Sequence, residues 1–538
     1  MLLFTSLKPY LAKVHVYGSW GLDFCFTLLC LRFIGANFYE AQGYPVPTLV
    51  IVGIYFGLAC WRPRAALFVF TITVPLLNGL SKIQLITSAS PLLLSFSALS
   101  LGNFIRQLFA KKYHTENKSL TDLVNSTRVE ILTVDFLITV LLVSGWISLW
   151  PQRHQPNFWA TVNQSSVLGY NNLFYASHSA FLWLQGLYFY KIVIKYYKYN
   201  ATKKCSPPSR LETQTAMPAK QHLLEISKNS SDKFLIITIV LHTLALLAFS
   251  LTQFLTDIPK RYGEANALSS PYEDIHSLGA VTVSILAGVL AYIKSGRKLY
   301  FAVQLSAIAA MSVLIIMTWS RITWLAAVIG IFLFTGFKLK KRWLTIFIFF
   351  SIVAWWAGQE FTKKSHIWTS NHYMVRLHSL IRIESISEKS SHRFELYHKA
   401  LEMIIDQPFT GFGIGSFYLT SPKFAQPGDA LGPVPNFAHN FVLQFAAELG
   451  IPATLLFCSL IGAAWYKGLR HTRAALKEKN GDRVPLALFL ALTTYLITQM
   501  TANSLNIYVS HQFLFWFLIA ALITLPDSKT ENRPHAIG

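Results

Sequence analysis

Charge is what this sequence has least of. Of its 538 residues only 13% are Asp, Glu, Lys or Arg, roughly half the share of an ordinary soluble chain. That scarcity, beside many aromatics, excludes intrinsic disorder and a charged coiled coil. Acidic residues are the rarer sign, 25 against 47 basic ones, leaving a net charge of +22. Cysteine is scarce too. Cys25, Cys30, Cys60, Cys205 and Cys458 show no CxxC spacing and four of them lie in apolar segments, so neither a disulfide framework nor a zinc site is expected. No HExxH, no GxxxxGK[ST] and no His/Asp/Glu cluster of ligand spacing occurs, and no metal or cofactor is expected.

What is abundant is hydrocarbon: 53% of residues are hydrophobic and 14% aromatic. Apolar runs of membrane-spanning length recur near residues 19–38, 47–61, 65–80, 85–105, 129–150, 176–194, 234–255, 278–293, 299–319, 322–337, 344–361, 440–466, 484–503 and 511–526. The fold class expected is therefore all-α and polytopic, with about 12–14 transmembrane helices. Lys8 and Lys13 precede the first run, but no small-residue cleavage pattern follows it, so a cleavable signal is not expected.

Such a basic chain would ordinarily point to nucleic acid. Here the positive residues gather in loops at Arg62/Arg64, Lys111/Lys112, 195–233, Lys294/Arg297, Lys338–Arg342 and Arg470–Arg483. With fourteen spans all of these fall on one side, which the positive-inside rule makes cytoplasmic, together with both termini. No nucleic-acid partner is expected; membrane lipids are. The domain reading is 1–230 for the N-terminal helices and a basic linker, 231–361 for a helical core, 362–438 for one long outward loop, and 439–538 for the last helices and tail.

The long loop carries eight Lys and Arg against six Asp and Glu, so the excess charge lies mostly elsewhere. Within it Phe394, Leu401, Ile404 and Ile405 share one helical face, Ser391 is a candidate N-cap, and Pro408 and Gly411 end the helix. Such a helix would lie across the outer mouth of the bundle. Gly411, Gly413 and Gly415 lack the strand, helix and acid of a dinucleotide fingerprint and read as a tight loop.

After the loop, Asn440, Gln444 and Glu448 fall at i, i+4 and i+8, a polar stripe on an apolar helix. It serves either a wet cavity or hydrogen-bonded glue between helices. His439 opens that helix, where the dipole disfavours imidazolium and attracts anions; a neutral general base and a structural histidine both fit. Arg321 stands at the hairpin between two spans and Arg261 in the loop after the seventh. Arginines so placed either snorkel to the interface or bind an anion. Arg32 is given no role.

These residues carry a resemblance. Arg393 opening a helix, then Pro408, then Gly411-Phe412-Gly413-Ile414-Gly415-Ser416-Phe417, then His439-Asn440-x-x-Leu443-x-x-x-x-Glu448-x-Gly450, with Ser320-Arg321 starting a span, resemble the O-antigen ligase/polymerase superfamily over roughly residues 230–470. The resemblance implies a bacterial inner-membrane glycosyltransferase of GT-C architecture with its site facing the periplasm. Its donor would be an undecaprenyl-diphosphate-linked glycan. An O-antigen ligase, with lipid A–core oligosaccharide as acceptor, leads this reading; an O-antigen polymerase or a protein O-oligosaccharyltransferase is the alternative. The segment Asn503–His511 does not resemble the signature expected of the protein-modifying branch.

By the same resemblance, His439 deprotonates the acceptor hydroxyl and Arg321 and Arg261 hold the donor diphosphate. Arg393, Asn440 and Glu448 join Arg261 as substrate-binding candidates. Bidentate guanidinium contacts suit phosphate oxygens, so two fixed arginines would serve a metal-independent, inverting displacement. A transporter of lipid-linked glycans is the rival class. It predicts internal repeats with broken spans in matching halves, a pattern the sequence does not show.

Overall fold

The computed structural model describes residues 46–82, 91–111, 179–194, 242–251, 275–291, 298–318, 320–338, 392–429, 431–432, 436–478 and 483–525, with a few within 23–31 and 140–144. Among the described residues every regular element is a helix and none is a strand. Expected spans at 129–150 and 344–361 lie almost wholly outside them, as do Arg261, Arg32 and Ser391. Two compact units divide the chain, Met1–Met217 with Gly413–Gly415, and Pro218–Phe412 with Ser416–Gly538.

The first unit holds α1 (Val46–Trp61), α2 (Pro63–Lys82), α3 (Pro91–Lys111) and α4 (Ser179–Ile194). Proline opens both α2 and α3, where its missing N–H is no loss. Gly102 brings α3 against α1: a Cβ there would lie 2.6 Å from the Phe56 carbonyl oxygen and 2.8 Å from the Ala59 methyl. Small residues set this close approach in apolar helix pairs. The rings of Phe26, Phe70, Phe96, Tyr188 and Phe189 fill the centre, Phe26 stacking on Tyr188 at 4.1 Å. Beside them Lys191 Nζ and Asp23 Oδ1 form a buried ion pair at 2.6 Å.

The second unit holds α5 (His242–Leu251), α6 (Ile275–Ala291), α7 (Lys298–Met317), α8 (Arg321–Lys338), α9 (Arg393–Asp406), α10 (Phe441–Lys477), α11 (Val484–Gln499) and α12 (Val509–Ile523). Central α6 is almost wholly buried. Its Leu278, Val281 and Leu286 pack with Met311, Leu314 and Ile315 of α7 and Ala326 of α8, and Ala287 and Ala291 pack with Leu486, Phe489 and Leu490 of α11. Of the described helices, α10 is long and apolar enough to cross a membrane, and α6, α8, α11 and α12 are shorter apolar helices.

Three local expectations change. The helix expected at 440–466 runs on to Lys477, so Arg470 and Arg473 stand on α10 rather than in a loop. Ala, Leu, Lys and Arg there are strong helix formers, and a cation in the last turn suits the dipole. At the start of α9 the N-cap is His392 rather than Ser391, in the left-handed region at φ 60°. Finally, three of the four residues of the expected apolar face of α9 turn outward, while Ile404 packs against the protein. Leu396, Lys399, Ala400 and Met403 are buried, whereas Phe394, Leu401 and Ile405 are 54%, 49% and 71% exposed. Ala400 and Met403 fit closely against Phe417, Ala438 and Ala447, and that side is what the protein covers.

Inside α10 the helix breaks at Gly450, φ 81° and ψ 167°, followed by Pro452. In an unbroken helix the Ile451 N–H would bond the Ala447 carbonyl four residues back. Instead Ile451 N–H donates to Pro408 O at 2.7 Å, and Ala447 O accepts from Phe412 N–H at 3.1 Å. The segment 408–412 is thereby joined edge-on to the break. Gly411, φ 61°, and Gly450 leave no room for side chains: a Cβ on Gly411 would strike the Glu448 backbone, and one on Gly450 the Phe409 carbonyl.

Candidate active site

Arg321, Arg393, His439 and Asn440 stand at or beside helix starts. Asn440 is the N-cap of α10, extended at φ −148°, its Oδ1 accepting from the Val442 and Leu443 amides at 3.0 and 3.1 Å. His439 immediately precedes it in the left-handed region, φ 52°. A non-glycine residue there is held at a cost of about 1–3 kcal/mol. The hold is visible: the amide of the preceding Ala438 donates to Gln444 Oε1 at 3.3 Å, back across the first turn.

Gln444 and Glu448 are buried and belong to one polar chain. Gln444 Oε1 also accepts from Asn503 Nδ2 at 2.6 Å, and Gln444 Nε2 donates to Glu448 Oε1 at 2.9 Å. The same carboxylate oxygen accepts the Phe417 amide at 3.3 Å. Asn503 Oδ1 in turn accepts from Asn506 Nδ2 at 2.8 Å. Glu448 thus faces the packed interior between α10 and the Ser416–Phe417 turn.

Arg321 and Arg393 come together. Each is the first residue of its helix, α8 and α9, where the positive end of the dipole disfavours a cation. Their guanidinium groups lie close enough to repel. Burial holds the Arg393 guanidinium below the ordinary arginine range, Tyr397 partly offsets this, and Arg321 adds to it. Burial likewise raises the Tyr397 phenol, against the nearby Arg393. Two cations within electrostatic reach of each other, each at a helix N-terminus, are a candidate site for an anion.

A segment the sequence reading set aside ties these pieces together. From Gln499 at the end of α11 to Gln512 in α12 the chain buries a dense set of polar residues: Gln499, Asn503, Ser504, Asn506, Ser510, His511 and Gln512. Gln499 Oε1 takes the Leu505 amide at 3.0 Å, Gln512 Nε2 donates to Leu505 O at 2.6 Å, and Tyr495 bonds His511 Nδ1 at 3.0 Å. Ser504 accepts from Ser277 of α6 at 2.9 Å. The preceding residue, His276, bonds Ser320 Oγ at 2.8 Å, and Ser320 precedes Arg321. Tyr397 reaches Met500 O at 3.4 Å. Hydrogen bonds and residues adjacent in sequence therefore link the His439 turn through Asn503 and Ser504 to Ser320, beside Arg321. The signal available was eight Gln, Asn, Ser, Thr or His residues within the fourteen positions 499–512.

Arg261, expected to pair with Arg321, falls outside the described residues. Among the described arginines, Arg393 stands with Arg321.

This arrangement defines a class: a helical protein with two arginines and a histidine at helix starts, and one described helix long and apolar enough to cross a membrane. A family model described as O-Antigen ligase matches residues 306–458, which include Arg321, Arg393, His439, Asn440 and Glu448. A Rickettsia conorii protein named "Putative polysaccharide ligase" is 27% identical over 168 residues, 28% of this chain and 38% of that protein. Namesakes from Rickettsia felis and Rickettsia prowazekii are 26% identical over 147 and 160 residues, covering 34% and 38% of those proteins. The chain thus matches little more than a third of the length of these relatives. Over this region the chain is similar to the O-antigen ligase superfamily.

Proposed function

We propose that this chain is an O-antigen ligase of the bacterial inner membrane. It spans the bilayer many times in GT-C fashion, with both termini in the cytoplasm and the polar end of the second unit facing the periplasm. It transfers a glycan from undecaprenyl diphosphate to lipid A–core oligosaccharide. The observation that carries this reading is Arg321 and Arg393 at two helix starts within electrostatic reach of each other, with the Arg321 turn linked through a polar hub to the turn that carries His439.

Transfer to a sugar hydroxyl needs a base at the nucleophile and cations on the leaving diphosphate. His439 takes the proton from the acceptor hydroxyl as that oxygen attacks the anomeric carbon. The bond to the diphosphate breaks, and Arg321 and Arg393 meet the developing charge, with Arg261 as a third candidate. One displacement inverts the anomeric centre. Asn440 shapes the turn around His439, and Glu448 fixes the loop beside it.

The test is the lipopolysaccharide banding of a strain lacking the gene, complemented with wild type, His439→Ala or Arg321→Ala, each shown to insert normally. The ligase reading expects loss of all capped bands and accumulation of lipid-linked polymer. Removal of a general base lowers transfer about 10²–10⁴-fold. A core bearing a single repeat would instead make the chain a polymerase, an unchanged pattern would indicate another acceptor, and full transfer by His439→Ala would overturn the mechanism.

A further inference from the structure

At about 100° per residue, Phe394, Leu401 and Ile405 fall within roughly 40° of arc on α9. All three are exposed, and Phe409 just beyond the helix is 77% exposed. Isolated apolar residues on a surface need no explanation, but a contiguous row of large ones does. The neighbouring flank is polar, with His398 and Glu402 paired at 3.6 Å and Asp406 exposed. The opposite side, Leu396, Ala400 and Met403, is covered by protein. The helix therefore has three environments to satisfy: protein, water and something apolar.

What the apolar side meets is indicated by where α9 ends. Pro408 and Phe409 are joined to Gly450 and Ile451 of α10 by the exchanged hydrogen bond and the close glycine contact. Ile451 and Leu455 of α10 are themselves 42% and 62% exposed, so the apolar row of α9 continues onto the outer surface of that helix. Residues 449–466 of α10 carry no charge, about 27 Å at 1.5 Å per residue, close to the thickness of a bilayer's hydrocarbon. Gly450 stands at one edge of that stretch. The other end of α9 rests on Met500, at the end of α11.

We propose that α9 is embedded edgewise in the outer leaflet, with Phe394, Leu401, Ile405 and Phe409 against lipid acyl chains. The helix is then an interfacial element of the kind whose apolar face enters the headgroup and acyl boundary while its polar flank stays wet. The proposal rests on α10 being a membrane span. Because Arg393 begins this same helix, the arginine pair sits at the level of lipid headgroups, the level at which a diphosphate borne by a membrane lipid arrives.

The test uses full-length protein whose five cysteines are replaced, in vesicles of phosphatidylethanolamine and phosphatidylglycerol. Single spin labels are placed at Leu401→Cys, Ile405→Cys and Phe409→Cys, at Asp406→Cys for the wet flank, and at Leu455→Cys for the span. Collision with oxygen reports lipid, and collision with a water-soluble nickel chelate reports water. The expected result is oxygen dominance at 401, 405, 409 and 455 and nickel dominance at 406. Nickel dominance at the three α9 positions with oxygen dominance at 455 would overturn the proposal and leave the span standing. Low collision with both probes at those three positions would also overturn it, placing protein on that face. Nickel dominance at 455 would remove the span itself, and with it both readings.

Discussion

Gly450 has a conformation and a neighbour that no side chain tolerates. Its positive φ suits glycine, and the Phe409 carbonyl occupies the position of a Cβ. Gly450→Ala should therefore lower the melting temperature in detergent, by at least the ~1 kcal/mol of the backbone term alone, whereas Gly462→Ala, with open space around it, should not. Gln444 acts differently. It fixes Ala438 and Asn503 with one oxygen, so Gln444→Leu should leave His439 present but misplaced. Its expected signature is a fall in kcat of glycan transfer with little change in KM, measured with purified donor and acceptor. The Asn440, Gln444 and Glu448 spacing was legible in the sequence. The partner Asn503 was not, because nothing in a local pattern says which helix end will lie across from the stripe.

At the scale of elements, the helices could be read because apolar length and charge punctuate them clearly. Their faces could not always be read. In α9 the periodicity of Phe394, Leu401 and Ile405 is real, but amphipathicity tells which residues avoid water and not whether protein or lipid receives them. The buried side is instead marked by small Ala400 and by Lys399, whose ammonium donates to Gly432 O at 2.5 Å and lies 4.0 Å from Asp429. Lys399→Ala should free the 425–432 loop from α9, seen as faster cleavage there in limited proteolysis while α10 stays protected. Removing one partner of a buried pair is expected to destabilise by about 3–5 kcal/mol at the upper end.

For the molecule as a whole, each unit carries its own core. In the first, Asp23→Asn would remove the carboxylate that lies 2.6 Å from the buried Lys191 ammonium, with an expected loss of about 3–5 kcal/mol in chemical denaturation. Asp23→Leu combined with Lys191→Met should recover most of it, as apolar replacement of buried pairs does elsewhere. The second unit stores its consequence at the Gly450 break. The Ala447 carbonyl and the Ile451 amide find partners only in residues 408–412, which are made before them and lie in the long loop. In hydrocarbon, unpaired backbone groups cost several kcal/mol each. On the topology proposed above, α10 completes these bonds only after residues 408–412 have crossed the membrane, and the order of synthesis becomes an ordered assembly. The join also works as a ruler: one added residue between 408 and 412 or between 447 and 451 would leave the two edges out of step.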